Sequence, residues 1–199
     1  MNSESPQESI VITGAGAVTC LGLNVEQTWD AVRRGECGIG PATVMRSTPQ
    51  PDKGYGEAAE LEADEQPDLP REVRYLRRAI DEAIEQAGLI DGEGNWRVAP
   101  ERCGIVMGTT LHGMPAAGRY TRSGNASDLH NFLGGSTIAN ALRGLPITGC
   151  SLTTCAACAS GLVSMGVGMS MLASGELDVV LAGGYDPVSE YANGGYNSL

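Results

Sequence analysis

Cys158 is the residue whose surroundings most favour chemistry. It stands in Thr154-Cys155-Ala156-Ala157-Cys158-Ala159-Ser160-Gly161, between an apolar run and a stretch of small residues. Read as strand, turn and helix, this order places a thiol at the positive end of a helix dipole, beside unpaired backbone N–H groups. Both features favour the thiolate, the form that attacks acyl groups. The same N–H groups can hold the oxyanion that forms on attack. Ala157, Ala159 and Gly161 leave room for an acyl chain and for close backbone approach. A cysteine so placed can equally be a small core hydrophobe, so position alone leaves both readings open.

Other motifs invite other chemistry. Cys155-x-x-Cys158 is a dithiol spacing, in which Cys155 would be the attacking thiol of a redox protein or half of an inhibitory disulfide. Cys150, Cys155 and Cys158 lack a fourth ligand at a usual zinc spacing, so no metal is expected. Thr13-Gly14-Ala15-Gly16-Ala17-Val18-Thr19 has Thr19 where a dinucleotide loop places its third glycine. It reads as a tight first turn, and no cofactor is expected.

The elements that must position Cys158 alternate between strand and helix. Residues 10–12 are a β-branched run ending in Gly14 and Gly16, a first strand. Asn24 is a helix cap, with Gly35 as the stop. Residues 41–70, rich in Pro, Gly and acid, read as an acidic surface excursion. Residues 71–87 have helical apolar spacing at Val73, Leu76, Ile80, Ala83, Ile84 and Ala87, ended by Gly88. Strands are expected at 103–108, 147–154 and 179–182. Helix is expected at 126–142, interrupted at Gly134-Gly135, and at 159–173. This order predicts an α/β fold with a mainly parallel sheet. No charged residue occurs between Arg143 and Glu176. The helix at 159–173 is therefore expected to be a buried small-residue helix, covered all round and sandwiched between two sheets.

Composition narrows the class. A chain of 199 residues suits one domain with a real core. The formal net charge of −11 argues against nucleic acid or an anionic membrane as the main partner. An acidic partner would need a local basic patch, such as Arg71, Arg74, Arg77 and Arg78. The uncharged stretch holds Pro146 and many Gly, Ser and Thr residues, unlike a bilayer span. Met1 to Ser9 have neither a basic region nor an apolar one, so a reducing cytoplasm and free thiols are expected for the six cysteines.

Ala157-Cys158-Ala159-Ser160-Gly161 resembles the active-site motif of the β-ketoacyl synthases, the condensing enzymes of fatty acid and polyketide synthesis. Ser174-Gly175-Glu176-Leu177-Asp178-Val179-Val180-Leu181-Ala182-Gly183-Gly184 resembles the segment that follows that family's nucleophile helix. Val11 to Thr19, then Leu21-Gly22, Trp29 and Gly38-Ile39, resemble its opening strand and loop. Arg102 to Thr109 resemble its middle strand, and Leu142-Arg143-Gly144 the lead-in to the nucleophile strand. The resemblance implies a thiolase-like fold of two similar halves, of which residues 1–199 are the N-terminal one (9–40 first strand and helix, 41–70 excursion, 71–199 remainder). It implies acyl transfer from an acyl carrier protein or coenzyme A thioester to Cys158. Condensation with a decarboxylating malonyl carrier would follow, in a transferase that is usually a dimer.

Two departures qualify that expectation. The family's two catalytic histidines and a catalytic lysine lie in its second half, whereas His112 and His130 precede Cys158 in neither of those motifs. The chain is thus expected to be acylated but not to complete condensation, and a partner subunit would supply the second half. A non-catalytic or split-synthase partner role is the alternative. In Gly108-Thr109-Thr110-Leu111-His112-Gly113, Thr110 and His112 replace two glycines of the family's pattern. Leu111 falls where that pattern places a residue at the acyl pocket. It is the candidate substrate-binding gate, or a plain core residue. The run into Cys158 also exceeds the family's usual length, which suggests a bulged strand.

Overall fold

The structure, a computed structural model, describes residues 9–41, 43, 54–61 and 69–198. Most of the acidic excursion expected at 41–70 lies outside the described residues. In chain order the helices and strands are α1 (Val25–Arg33), α2 (Arg71–Gln86), β1 (Cys103–Gly108), α3 (Met114–Ser123), α4 (Ala126–Phe132), α5 (Gly134–Ala141), β2 (Ser151–Thr154), α6 (Ser160–Ala173), β3 (Val179–Gly184) and α7 (Glu190–Asn197).

The three strands form a wholly parallel sheet in the order β2-β1-β3. The central strand is buried at every position, as a strand covered on both faces should be. Its residues alternate between two layers. Ile105 and Met107 join Val73, Leu76, Ile80 and Ile84 of α2 and Ile138 and Ala141 of α5 in one core. The opposite face meets α6: a Cβ on Gly108 would collide with the start of that helix, and Gly168 lies against Val180 and Ala182 of β3. The layers are therefore α2 and α5, the sheet, then α6. The helical stripe read from the sequence is the face of α2 that is buried. Asn24 caps α1, its side chain accepting from the Gln27 N–H at 2.8 Å. Gly35 and Gly88 follow their helices with φ of +70° and +62°.

Helix α6 turns its small residues inward. Ser160, Ser164 and Gly168, four apart, are its buried positions. Leu162, Val163, Met165 and Met169 point outward, Leu162 at 73% exposure. The all-round cover expected of this uncharged helix is thus present on one face, and the described residues provide no layer over the other.

The first strand expected at 10–12 does not form. Val11 and Ile12 are 67% and 79% exposed, and the chain runs on irregularly beside α2. Just after this run, side chains of α2 take backbone donors of the chain. The Ala15 N–H donates to Gln86 Oε1 at 2.6 Å and the Ala17 N–H to Glu82 Oε2 at 3.0 Å. Gly14 and Gly16 press against the backbone of α2 near Ala83 and Ala79, an approach only glycine allows.

The strand expected at 147–154 covers only β2. The Thr148 N–H turns to the Pro100 carbonyl at 2.9 Å, and the Gly149 N–H is shared between the carbonyls of Cys103 at 3.0 Å and Pro100 at 3.2 Å, so the regular ladder begins later. From Ser151 to Thr154 the register with β1 is regular, so the bulge expected of the run into Cys158 does not fall within β2. The helix expected at 126–142 is two helices, broken at Leu133, one residue before the interruption expected at Gly134-Gly135; these glycines instead open α5. Helices α3 and α7 carry central glycines and no apolar period, so neither has a signature in the sequence. No helix among the described residues is long and apolar enough to cross a membrane.

Candidate active site

Because all three strands run parallel, their C-terminal ends meet along one edge, where ligands of open α/β sheets bind. β1 leads into the loop 109–113, β2 into the turn 155–159, and β3 into Tyr185 and Asp186. The Tyr185 N–H extends the β3 ladder to the Gly108 carbonyl at 3.0 Å. These segments hold Cys158, Leu111 and the groups that orient them.

The turn carrying Cys158 is strained and tightly tied. Ala157, one residue before it, has φ of +49°, a left-handed conformation that costs a residue with a Cβ about 1–2 kcal/mol. Ser160 offsets that strain. Its Oγ accepts from the Ala156 N–H at 2.9 Å and donates to the Ala157 carbonyl at 2.6 Å. The Ala159 N–H closes the turn on the Ala156 carbonyl at 3.0 Å. Cys158 itself is exposed, and among the described residues its N–H meets no acceptor. An exposed thiol beside a free backbone donor is the arrangement a covalent acyl carrier needs.

Two glycines allow this turn to sit on the sheet. A Cβ on Gly108 would lie 2.2 Å from the Ser160 carbonyl oxygen and 2.8 Å from the Gly161 nitrogen. One on Gly184 would lie 2.8 Å from the Gly108 oxygen and 3.4 Å from the Cα of Gly161. The strand ends and the helix start meet backbone to backbone.

The loop after β1 is drawn against the same turn. The Thr110 hydroxyl donates to the Ala157 carbonyl at 2.8 Å and lies 3.3 Å from Ser160 Oγ. Leu111, the next residue, is half-buried. Asp186 holds this loop: its Oδ1 accepts from Thr109 Oγ1 at 2.8 Å, the Thr110 N–H at 3.0 Å and the Leu111 N–H at 2.8 Å. His112 then takes φ of +48°, its N–H donating to Thr109 Oγ1 at 2.9 Å. Histidine adopts here the left-handed turn that glycine adopts freely.

The family model described as "Beta-ketoacyl synthase, N-terminal domain" matches residues 7–196. The chain belongs to the β-ketoacyl synthase family, as its N-terminal domain. It is 28% identical to 3-oxoacyl-[acyl-carrier-protein] synthase 2 of Coxiella burnetii, over 90% of this chain and 46% of that protein. It is 26% identical to a putative polyketide beta-ketoacyl synthase 1 of Streptomyces virginiae, over 92% of this chain and 47% of the relative. The structure is similar to the ishigamide ketosynthase/chain length factor, with a TM-score of 0.79 and 24% identity, covering 94% of this chain and 50% of that one. It is also similar to the ketosynthase of AntDE:AntF, a type II PKS acyl-carrier protein complex, with a TM-score of 0.74 and 19% identity, covering 94% and 48%. These likenesses establish the thiolase-like fold. The chain spans about half the length of the relatives it matches.

In this ketosynthase domain the sequence candidates come together in part. Cys158 and the Leu111 loop meet through Thr110. His112 packs its ring edge-on to Phe132 at 6.3 Å, and His130 Nε2 lies 3.2 Å from Ser136 Oγ. Cys155 and Cys158 are both free and exposed. Among the described residues no group of three or more His, Cys, Asp or Glu side chains is arranged to hold a metal ion.

A cleft of about 1120 Å³ adjoins this edge at Tyr185 and Asp186 and is lined also by Arg71, Glu72 and Arg119, but not by Cys158. Burial pushes the Glu72 carboxyl above the usual carboxylate range, with only its own backbone N–H, Arg119 and Arg71 opposing. Among the described residues, Glu72 Oε1 and Tyr185 Oη are buried with no hydrogen bond of ordinary geometry. Burial likewise raises the Tyr185 phenol, opposed by the neighbouring Thr137 and Thr109 hydroxyls.

Sequence reasoning missed Asp186, Thr109 and Ser160. One signal for Asp186 was legible: a carboxylate two residues beyond the β3 glycines must emerge at the C-terminal edge of a parallel sheet. Thr109 and Ser160 look like ordinary loop and helix residues until the three strand ends are brought together.

Proposed function

We propose that this domain takes an acyl group onto Cys158 as a thioester, as the first half-reaction of a fatty acid or polyketide condensing enzyme. The observation that carries the reading is the exposed Cys158 at a strained strand-to-helix turn, with no acceptor for its N–H among the described residues. The thiolate attacks the carbonyl of an acyl carrier protein or coenzyme A thioester. The Cys158 N–H stabilises the oxyanion, the C–S bond to the carrier breaks, and the carrier leaves as a thiolate that takes up the proton Cys158 lost on ionising. Leu111 borders the acyl chain and limits its length. Family membership supports a carrier protein as donor, and so does the similar AntDE:AntF complex, in which a ketosynthase is bound to its acyl-carrier protein.

Decarboxylative condensation with malonyl carrier needs general acid and base groups that lie in the other half of the family. Residues 1–199 alone are acylated and make no condensed product; groups of the family's second half complete the site. The apolar outer face of α6 supports such a cover. A split-synthase subunit is the second reading, supported by that same face. Incubation with acyl carrier thioester, then intact mass, tests the first half-reaction. One acyl adduct on the wild type and none on Cys158→Ala is expected. No adduct, or one that survives Cys158→Ala, overturns it. Condensed product from the chain alone would refute the dependence on a second half.

A further inference from the structure

We propose that Asp186 is a positioning residue that makes the Leu111 loop and the Cys158 turn move as one unit. The inference rests on the reading of Cys158 as acyl acceptor and Leu111 as gate, and it adds how the two are coupled.

Both segments are strained, at His112 (φ +48°) and at Ala157 (φ +49°). Left-handed residues with a Cβ persist only where the surroundings over-determine them. For the loop, that surrounding is one oxygen. Asp186 Oδ1 accepts from Thr109 Oγ1, from the Thr110 N–H and from the Leu111 N–H. Thr109 Oγ1 passes the constraint on by accepting from the N–H of the strained His112 at 2.9 Å. Thr109 is fully buried, so this relay has no water to replace it. Asp186 is exposed, yet its backbone is anchored, because the adjacent Tyr185 N–H makes the last β3–β1 ladder bond.

Thr110 joins the two segments. Its N–H is fixed by Asp186, and its hydroxyl donates to the carbonyl of the strained Ala157 at 2.8 Å. That carbonyl also receives Ser160 Oγ at 2.6 Å. A carboxylate at the end of β3 thus sets the conformation of the residue that precedes the nucleophile, with Thr110 as the link. Releasing Asp186 loosens both turns. Removing only the Thr110 hydroxyl loosens the Cys158 turn and leaves the loop held.

Amide exchange of peptides covering 109–113 and 155–161, with the rate of Cys158 alkylation by iodoacetamide, tests this on the full chain in the wild type, Asp186→Ala, Asp186→Asn and Thr110→Val. Asp186→Ala is expected to speed exchange about tenfold in both peptides and to change the alkylation rate several-fold, as loss of charge-assisted hydrogen bonds would. Asp186→Asn, which keeps one acceptor oxygen, should fall between. Thr110→Val should affect 155–161 alone. The proposal is overturned if Asp186→Ala alters only 109–113, or if Thr110→Val leaves 155–161 unchanged. If Asp186→Ala does not fold, Asp186→Asn and Thr110→Val decide on the same criteria. A further readout, which a merely structural role would not move, is the ratio of Cys158 acylation rates for short and long acyl thioesters. That ratio should fall toward one in Asp186→Asn. A wild type that takes no acyl group defeats the functional reading, while exchange and alkylation still judge the coupling.

Discussion

Gly108 approaches Ser160 so closely that a Cβ on it would stand 2.2 Å from the Ser160 carbonyl oxygen. The central strand and the helix that follows the candidate nucleophile are thereby locked at a separation that only glycine permits. Gly108→Ala must move backbone against backbone. It should destabilise the domain by about 2–3 kcal/mol and change the alkylation rate of Cys158. Gly161→Ala is the matching control, because nothing lies within 4 Å of its added Cβ. It should be neutral or stabilise by up to about 1 kcal/mol through helix propensity. Urea unfolding of both variants checks the contrast; equal effects would contradict it.

Ser160 and Ser164 are both buried in α6 and differ in what they hold. Ser160 Oγ secures the Ala156 N–H and the Ala157 carbonyl, whereas Ser164 Oγ lies 2.7 Å from the Gly161 carbonyl oxygen and 2.5 Å from that of Gly183. Replacing either by Ala should cost about 1–3 kcal/mol, the range for a buried polar group left unpaired. Only Ser160→Ala should alter Cys158 reactivity toward iodoacetamide in the folded protein. A similar change in Ser164→Ala would show that general loosening of the helix is responsible.

Glu72 makes stability depend on pH in an unusual direction for a carboxylate. Burial raises its native pKa above the unfolded value, so the folded chain binds a proton that the unfolded chain releases. Stability from this group is present at low pH. It is lost as pH rises from the ordinary carboxyl value through the native one. Glu72→Gln removes the titration and should stabilise the protein near pH 7 by about 1 kcal/mol, or roughly 2–4 °C in Tm. The gain should vanish toward pH 4. Thermal melts across that range test the sign, and a gain that grows on acidification would refute it.

The outer face of α6 predicts a substitution that is silent in stability and visible in association. Leu162 is 73% exposed, so Leu162→Ser should change unfolding free energy by no more than about 0.5 kcal/mol. It should reduce binding of an apolar dye and self-association, measured by fluorescence and sedimentation. A large loss of stability would mean that this face is covered in solution by the chain itself.

Much of the framework is legible because it rests on local rules. The period of Val73, Leu76, Ile80 and Ile84 marks the buried face of α2, and Asn24 marks the start of α1. The small residues around Cys158 signal a close-packed turn. The first strand is misread because a β-branched run does not say whether a neighbour will pair with it. Here Gln86 and Glu82 of α2, distant in sequence, accept the backbone N–H groups of residues 15 and 17. The support of the candidate site is illegible for the same reason. Asp186 and Thr110 are separated by 76 residues, as are Asp186's other partners by similar spans. No spacing rule joins them until the parallel sheet aligns its ends.

The strand order β2-β1-β3 has a consequence for how the protein is made. The turn around Cys158 is shaped by Gly184 and Asp186, which leave the ribosome after it, and β3 pairs with a strand in the register Cys103↔Val179. Such distant parallel pairing forms slowly. The segment around Cys158 is therefore expected to take its final shape only once β3 has left the ribosome and paired with β1. A ribosome paused within α6 would hold a chain in which that turn lacks the contacts of Gly184 and Asp186.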